Sequence, residues 1–421
     1  MLLTSNTLHN SPQEDRKEPV PGFYGANPED LGYQQNPYPG HRELRETQPV
    51  NLTPLGFWRL SRYDDCVRLL RQTPSGMRLT DGRIPGQPET SENGPPSFML
   101  LQDGPTHTRL RKLVSRGFTP RAAESWRSRA ENVTQEILDR LPSCGEVDLI
   151  SQLALPLPAT LICEIMGVPT EDRDSFTRWT SDATYGLVTM RGEGTDEIVE
   201  RVNEARNGLV GYFGRLIESR RDAPGHDLID VLIAAEEDGD KLSPEELMAN
   251  CIGLLVAGFE TTIGLIGNGL TTLIQHPEEY QKLRSHPELI ESTVEECLRY
   301  CGPITETIRV LHDDAEFGGF LIPRNSQVAV MTAAANRDPD HYDNPEIFDI
   351  ERWTRTPAPP PHLAFGGGVH FCLGAHLARL ETQVAIGAFT QKFERIELLN
   401  EETEWGRSLF RVPARIPVSL G

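Results

Sequence analysis

Apolar residues recur three or four positions apart over most of the chain, which is the spacing of helices that bury one face. From residue 105 to residue 237, proline or glycine often marks the joint between one such stretch and the next. The pattern predicts helices over Pro105–Gly117, Ala122–Leu141, Leu155–Met166, Asp172–Leu187, Thr195–Arg221 and Leu228–Glu237, with shorter ones over His41–Thr47 and Tyr63–Leu70.

Shorter extended stretches and one long loop interrupt these helices. The segments Val50–Leu60, Glu316–Ile322 and Gln327–Met331 have the character of strands, so we expect a mainly α fold with a minor β part. The 22 residues of Ser75–Pro96 are rich in Gly, Pro, Ser and Thr, and a loop of this length is usually a lid, a binding loop or disordered. Polar residues 1–20 are predicted to be a disordered tail, and residues 21–421 a single domain, since no linker divides them.

One predicted helix is much longer than the others. Ser243 followed by Pro244 and Glu246 has the pattern of a capped helix start, and Pro277 stops the helix after His276. Its 33 residues would span about 50 Å at 1.5 Å per residue, enough to cross a domain. The middle of this helix, Cys251–Phe259, is apolar on all sides and is therefore predicted to be buried.

Glu260, Thr261 and Thr262 follow this apolar segment directly. Burying a carboxylate and two hydroxyls without partners costs several kcal/mol, so each group needs one. A structural network, with each threonine bonded to a carbonyl one turn earlier, is one interpretation. A role in chemistry is the other, and helical periodicity does not decide between them.

Composition and charge restrict the class of protein. The chain has 41 basic and 62 acidic residues, and its net charge of −21 argues against nucleic acid or an anionic membrane as partner. Its seven cysteines form no CxxC pair, which fits a reducing compartment. The first 18 residues contain no apolar segment long enough for a signal peptide or anchor. The sequence therefore predicts a cytoplasmic protein without a membrane anchor.

One cysteine lies between a glycine-rich loop and an apolar helix. The loop runs from Phe365 to Gly374 and contains Cys372, and the helical spacing that follows begins at Leu373, directly after the sulfur. A helix N-terminus and nearby backbone N–H groups favour a thiolate. A lone cysteine is usually a small buried hydrophobe, and this loop alone leaves metal-binding, nucleophilic and redox roles open.

The segment from Phe365 to Gly374 resembles the haem-binding loop of the cytochrome P450 family, the haem-thiolate monooxygenases. The resemblance implies that Cys372 is the proximal iron ligand of haem b and that Phe365 packs beside the Fe–S bond. It also implies that His370 reaches a haem propionate and that Gly366 and Gly374 shape the loop.

The segment Ala257–Thr261 is similar to the oxygen-binding segment of the same family. By this resemblance Ala257 and Gly258 leave room over the haem, while Glu260 and Thr261 relay protons to bound dioxygen. Ala257 and Thr261 are four residues apart and therefore share one helix face.

Charged residues elsewhere match further family motifs. Glu296 and Arg299 are three apart on a helix, a pattern that is usually a surface salt bridge. The family joins this pair to a later arginine, so the resemblance implies a buried structural triad with Arg352. His107, Arg111, Arg309 and His370 match the residues that bind the haem propionates, although a basic helix face is by default solvated. Lys112 and Arg116 are expected to form a basic patch for an acidic ferredoxin.

The resemblance implies a helical prism that encloses haem b, in a monomeric enzyme of the soluble bacterial type. The implied reaction is hydroxylation or epoxidation of a hydrophobic small molecule by dioxygen and two electrons from ferredoxin and ferredoxin reductase. Fatty acids, terpenoids, steroids, polyketides and peptide natural products remain possible substrates. A peroxide-driven peroxygenase and a non-catalytic haem-thiolate sensor remain as alternatives. The implied substrate pocket contains Phe98, Met99, Leu254, Ile304, Ile308 and Phe410.

Overall fold

The computed structural model describes residues 17–27, 30–85, 98–169, 172–189, 196–222, 225, 227–237, 242–400, 402–406 and 410–421. Helices dominate these ranges, and the predicted mainly α class with a minor β part is confirmed. The α-helices in the described ranges are α1 (Leu31–Gln35), α2 (Tyr38–Thr47), α3 (Tyr63–Arg71), α4 (Gly104–Val114), α5 (Pro120–Ser125), α6 (Arg127–Arg140), α7 (Pro156–Ile165), α8 (Arg173–Thr189), α9 (Asp196–Asp222), α10 (Leu228–Glu237), α11 (Pro244–Gln275), α12 (Pro277–Ser285), α13 (Ile290–Cys301), α14 (Thr332–Ala335) and α15 (Ala375–Lys392).

The strands are short and form small sheets beside the helices. They are β1 (Val50–Leu52), β2 (Trp58–Leu60), β3 (Ser75–Gly76), β4 (Gly145–Asp148), β5 (Thr307–Leu311), β6 (Ala315–Phe317), β7 (Phe320–Ile322), β8 (Gln327–Val330), β9 (Ile396–Leu398), β10 (Glu404–Trp405), β11 (Pro413–Arg415) and β12 (Pro417–Leu420). The largest sheet has the order β1-β2-β8-β5-β3, and β2 and β8 are its parallel pair. The order β4-β12-β9 forms a second sheet, while β6-β7 and β10-β11 are two-stranded.

Helix α11 is the central element of the larger core. Its start has the predicted capping box, in which the Ser243 hydroxyl accepts from the Glu246 amide at 3.1 Å and the Glu246 carboxylate accepts from the Ser243 amide at 2.9 Å. The helix packs against α7, α8, α13 and α15. By length and composition alone α11 could cross a membrane, but 56% of its most apolar window is buried within the protein.

Several predicted boundaries differ from the structure. The predicted helix Ala122–Leu141 is divided into α5 and α6 around Trp126. The predicted strand Glu316–Ile322 is a hairpin, because Gly318 and Gly319 adopt positive φ angles and turn the chain between β6 and β7. The sheets formed by β4 and β9–β12 were not predicted, since strands of two to four residues carry little periodicity.

The prediction that Cys251–Phe259 is buried is wrong for one face of α11. Leu254, Leu255 and Phe259 are buried, but Ala257 is exposed and Thr261 is partly exposed. An exposed alanine in the middle of a core helix means that no protein side chain packs over this part of the helix.

Two other predicted segments lie partly outside the described residues. Residues 1–16 of the predicted tail lie outside the described ranges. Lys17, the first described residue, donates from its amide to the Gly319 carbonyl at 3.4 Å and from its ammonium to the Gly318 carbonyl at 3.3 Å. Residues 86–97, which include the whole second half of the predicted long loop, are also outside the described ranges.

Candidate functional site

The loop that carries Cys372 is closed by its own backbone. The Cys372 amide donates to the Phe365 carbonyl at 3.0 Å, and the Phe371 amide donates to the Gly368 carbonyl at 3.1 Å. Gly368 has φ +67°, and a Cβ there would collide with the Leu70 carbonyl oxygen, so only glycine fits. Helix α15 begins at Ala375, and the prediction that its first residues directly follow the sulfur is therefore wrong by two residues.

The Cys372 side chain has accessible surface, although the surrounding protein desolvates its sulfur. Both observations hold for a thiol that lines an interior space, and a Cβ added at Gly366 or Gly374 would meet no atom within 4 Å. Burial raises the pKa of Cys372, while the Gly374 amide, Arg111 and Arg379 oppose this rise. The loop alone therefore does not produce the predicted thiolate, whereas a bound metal ion deprotonates a coordinating thiol.

The uncovered face of α11 presents Ala257 and Thr261. The Thr261 hydroxyl donates to the Ala257 carbonyl at 2.9 Å, and the Thr262 hydroxyl donates to the Gly258 carbonyl at 3.0 Å. Both threonines thus make the structural bond to the preceding turn. They differ in surroundings, because Thr262 is buried, whereas Thr261 is partly exposed and Glu260 is half-buried.

Four basic residues expected to meet a haem come from three different elements. His107 and Arg111 lie on α4, Arg309 on β5 and His370 in the short 3-10 helix Gly368–His370. The His107 and His370 ring centroids are 4.2 Å apart. Arg309 is buried and donates to the Ile308 carbonyl at 2.8 Å, while Arg111 donates to the Phe371 carbonyl at 2.6 Å.

Burial lowers the pKa values of His107 and Arg309 in this cluster, and repulsion from neighbouring basic groups lowers that of His107 further. Burial, followed by His370 and Arg111, lowers the pKa of His107 to about 4. Burial also lowers the pKa of Arg309 to about 10, with Asp103 acting in the opposite direction. The Nδ1 atom of His370 is buried and has no hydrogen-bond partner among the described residues. An anionic ligand would supply the missing partner and offset the repulsion.

Asp103 connects this cluster to the beginning of the long loop, and the sequence interpretation missed it. It precedes α4 as the N-cap residue, but its carboxylate makes no capping bond. It accepts instead from the amides of Met77 and Arg78, at 2.8 to 2.9 Å, and from His370 Nε2 at 3.3 Å. Burial alone would raise the pKa of Asp103, but these bonds lower it to about 2. An aspartate at a helix start is ordinarily a cap residue, so the sequence position alone does not reveal this role.

Glu296, Arg299 and Arg352 form one buried charged cluster. Arg299 donates from Nε and Nη2 to the Glu296 carboxylate at 2.8 and 2.7 Å, and Arg352 Nε donates to it at 3.1 Å. Other N–H groups of the two guanidinium groups donate to backbone carbonyls: Arg299 Nη1 donates to that of Pro345 and Arg352 Nη1 to that of Asp343. The cluster fixes α13 to the irregular segment after α14.

A second charged network, also missed from the sequence, lies behind the cysteine loop. Glu295, next to the predicted Glu296, accepts from Arg379 and from His362. The Arg379 guanidinium carbon lies 4.6 Å from the centroid of the Phe365 ring. The resemblance named Phe365, but only the folded chain brings α13 and α15 together behind it.

The residues expected to line a substrate pocket lie on both sides of the Ala257–Thr261 segment. Before it, the Phe98 ring fills the space beside Gly253, and the Met99 amide donates to the Asn250 side chain at 3.1 Å. After it, the Arg411 amide donates to the Pro303 carbonyl at 2.8 Å, next to Phe410 and Ile304. Leu254 is buried on α11, and Ile308, on β5, is half-buried.

These features fit a haem held by one cysteine. The described residues contain no group of three His, Cys, Asp or Glu side chains that could bind a metal ion without further ligands. A porphyrin, which brings its own four nitrogen ligands, needs only one axial side chain. The Cys372 side chain, which has accessible surface, can bind the iron of such a porphyrin. The uncovered face of α11 at Ala257 leaves room for the porphyrin plane, and the unpartnered Nδ1 of His370 can bind a propionate.

The fold and this site define a haem-thiolate protein, and the chain belongs to the cytochrome P450 family, whose model matches residues 194–406. The implied enzyme class, a P450 monooxygenase with haem b as cofactor, is therefore confirmed.

The chain is 36% identical to "Polyketide biosynthesis cytochrome P450 PksS" of Bacillus subtilis, covering 94% of this chain and 98% of that protein. It is 38% identical to "6-deoxyerythronolide B hydroxylase" of Saccharopolyspora erythraea, over 91% of this chain and 96% of that one. Among solved structures, P450BioI in complex with hexadec-9Z-enoic acid ligated acyl carrier protein superposes with a TM-score of 0.83. It is 35% identical, and the match covers 93% of this chain and all of that chain.

Proposed function

We propose that this monooxygenase hydroxylates or epoxidises a hydrophobic natural product, using dioxygen and two electrons from a ferredoxin and its reductase. The observation that carries the proposal is that Cys372 of the glycine-rich loop and Ala257 in the middle of the core helix α11 are both exposed in the folded chain. Relatives named for polyketide, vitamin D(3) and biotin pathways support an apolar substrate of the polyketide, steroid or fatty-acyl type.

Haem b, when bound, supplies the activation of dioxygen. In our proposal Cys372 would hold its iron, and Phe365, Gly366 and Gly374 would shape the loop around the sulfur. In this proposal the propionates are held by four buried or partly buried basic residues, His107, Arg111, Arg309 and His370. The buried Nδ1 atom of His370, which has no partner among the described residues, would bind one of the propionates. Ala257 and Gly258 give the cofactor and dioxygen room because their side chains are small.

Glu260 and Thr261 are proposed to deliver protons to bound oxygen. The Thr261 Oγ1 donates to the Ala257 carbonyl and can accept a further hydrogen bond on the exposed side. A proton supplied through Glu260 would pass to the oxygen through this hydroxyl. The half-buried position of Glu260, one residue before Thr261, suits a group that receives protons from solvent.

An apolar pocket holds the substrate in this proposal. Phe98 and Met99 before the Ala257–Thr261 segment, and Ile304, Ile308 and Phe410 beyond it, would place apolar side chains on both sides of the reacting carbon, with Leu254 supporting the wall. Exclusion of water from such a pocket protects the oxidising chemistry from side reactions.

Electrons are proposed to arrive on the side of Cys372. Lys112 and Arg116 are exposed near the end of α4, and Val369 and Phe371 of the cysteine loop are exposed as well. A basic patch with an apolar centre suits an acidic ferredoxin. We propose a cytoplasmic monomer whose residues 21–421 form one domain and whose net charge of −21 disfavours a nucleic-acid partner.

The test compares product formation under three conditions with one bound apolar substrate. We expect product with ferredoxin, ferredoxin reductase and reduced nicotinamide under dioxygen. Product with hydrogen peroxide alone would indicate a peroxygenase instead, and the presence of an acid and an alcohol at successive positions, Glu260 and Thr261, argues against that alternative. No product under any condition, despite substrate binding, would favour a sensor.

A further inference from the structure

Arg379 lies against the residue that is tied to the cysteine. Its guanidinium carbon is 4.6 Å from the Phe365 ring centroid, within the range of a cation–π contact. The Phe365 carbonyl in turn accepts the hydrogen bond of the Cys372 amide at 3.0 Å. Arg379 is therefore a positive charge held close to the loop segment that carries the sulfur.

Glu295 holds Arg379 in this position. One Glu295 carboxylate oxygen accepts from Arg379 Nη2 at 2.9 Å, and the other accepts from Nε, so the pair is bidentate. His362 lies 3.1 Å from the same carboxylate through Nε2, and its Nδ1 accepts from the Ala364 amide. Burial opposes ionisation, but His362 and Arg379 lower the pKa of Glu295 to about 2. Glu295 is therefore a fixed negative charge beside a fixed positive one.

Glu295 and Arg379 line a cavity of about 520 Å³, which also contains a second arginine that can serve as a control for Arg379. Arg127 of α6 lines the same cavity and is also paired with a glutamate, Glu124, at 2.6 Å. Arg127 and Arg379 carry the same charge and have comparable exposure, 34% and 25% of the side chain. Among the contacts of the described residues, only Arg379 stacks on Phe365.

We propose that Arg379 and Glu295 are positioning residues that set the electrostatic potential at the Cys372 sulfur, and thereby the reduction potential of the iron it binds. The inference rests on the proposed haem site. Reduction from ferric to ferrous iron adds one negative charge, so a nearby cation stabilises the reduced form. Arg379 therefore raises the potential, and Glu295 offsets part of that effect while orienting the guanidinium on the Phe365 ring.

The test is an equilibrium redox titration of the haem-loaded protein without ferredoxin, which separates this role from partner docking. We expect Arg379→Gln to lower the potential, changing the ferric-to-ferrous ratio at fixed potential by threefold to tenfold, the latter being about 59 mV. Glu295→Gln is expected to shift it in the opposite direction. Arg127→Gln, the matched control from the same cavity, should leave it unchanged.

Two further arms separate charge from packing. Arg379→Lys keeps the positive charge but loses the planar contact with Phe365. Its reduction potential should therefore lie between those of the parent and Arg379→Gln. High salt should reduce the difference between the parent and Arg379→Gln, because Arg379 is partly exposed. If Arg379 and Glu295 were only structural, their variants would retain less haem, but the reduction potential would not shift in opposite directions in Arg379→Gln and Glu295→Gln.

The outcomes separate the inference from the proposed function. If the parent lacks the ferrous carbonyl spectrum of a thiolate-ligated haem, the proposed function fails and the inference with it. If that spectrum is present but Arg379→Gln shifts the potential no more than Arg127→Gln does, the inference alone is overturned. A shift of the same sign in Arg379→Gln and Glu295→Gln would overturn it as well.

Discussion

At the scale of single residues, Thr261 and Thr262 show how similar local geometry can serve different purposes. Both hydroxyls bond to the carbonyl four residues earlier, at 2.9 and 3.0 Å. Only Thr261 also borders the open space on α11, so its hydroxyl can serve a second partner. The two interpretations left open by the sequence, structural bond and chemical role, are compatible in Thr261.

Replacing Thr261 should uncouple electron use from product formation. We expect Thr261→Ala to continue consuming reduced nicotinamide while its product per electron falls by about tenfold or more, since general acid–base groups contribute about 10²–10⁴ in rate. The measurement is the ratio of product to nicotinamide oxidised. Thr262→Ala, which loses an equivalent helix bond but faces the core, should keep the ratio of the parent. Equal coupling in Thr261→Ala and the parent would show that the proton relay is wrongly assigned.

Glu381 is a buried carboxyl group with no role in the proposed chemistry. It lies on α15 with 4% exposure, and its Oε2 accepts no hydrogen bond among the described residues. Burial raises its pKa to about 8, compared with about 4.3 in an unfolded chain. Between these values the folded state retains a proton that the unfolded state releases, so Glu381 makes stability fall as pH rises.

Glu381→Gln should remove this pH dependence. The stabilising effect of the retained proton is complete below about pH 4.3 and lost as pH rises through about 8, with a slope of at most about 1.4 kcal/mol per pH unit. The variant should therefore gain stability relative to the parent at pH 8 more than at pH 5, measured by urea unfolding. Glu397→Gln, at an exposed position on β9, serves as control. A stability difference that does not change with pH would contradict this account.

At the scale of elements, buried charges determine how α13 and the cysteine loop are held. Adjacent residues of α13 act in different directions, because Glu296 binds the segment after α14 and Glu295 binds α15. A helix with carboxylates at successive positions can connect two neighbouring elements in this way. The sequence motif identified the first connection only.

Glu296→Gln should destabilise the fold strongly. The change leaves Arg299 and Arg352 with two buried positive charges and no carboxylate, and breaking a buried pair costs about 3–5 kcal/mol. Urea unfolding of the haem-loaded protein measures the loss. Glu124→Gln breaks the exposed pair with Arg127 and should cost less than about 1 kcal/mol. Similar losses in both variants would mean that the buried cluster has no special structural weight.

Asp103→Asn should loosen the beginning of the long loop. The carboxylate accepts from two consecutive amides, Met77 and Arg78, and an amide side chain can replace only part of this acceptor capacity. We expect faster hydrogen exchange at these two amides and faster release of haem to an acceptor protein, because His370 loses the same partner. Asp81→Asn, an exposed aspartate of the same loop, should change neither rate. Unchanged exchange at Met77 and Arg78 would contradict the role of Asp103.

The sequence predicted the parts of this architecture that are periodic or local. It predicted α10 with its exact bounds and the capping box of α11 because those signals lie within a few residues. It did not predict β9–β12, because strands of two to four residues carry little periodicity and β12 depends on pairing with the distant strand β4. Asp103, Glu295 and Arg379 were missed for the same reason, since their partners lie far away along the chain. Periodicity did not predict the open face at Ala257, because apolar composition does not distinguish a protein core from a cofactor cavity; only the family resemblance implied room there.

At the scale of the whole molecule, the proposed haem site draws on three distant parts of the chain. Helix α4 supplies His107 and Arg111, the middle of α11 supplies Ala257 and Thr261, and the loop before α15 supplies Cys372. Family membership supplies the cofactor, haem b, and we propose that these residues hold it. The central claim is that Cys372 is the ligand through which the fold holds the iron.

The most direct test is the absorption spectrum of the ferrous carbonyl complex in the parent, Cys372→Ala and Cys144→Ala, the last being an exposed cysteine far along the chain from the loop. We predict the band characteristic of thiolate ligation in the parent and in Cys144→Ala, and its loss in Cys372→Ala even where haem remains bound. Survival of that band in Cys372→Ala would contradict the account.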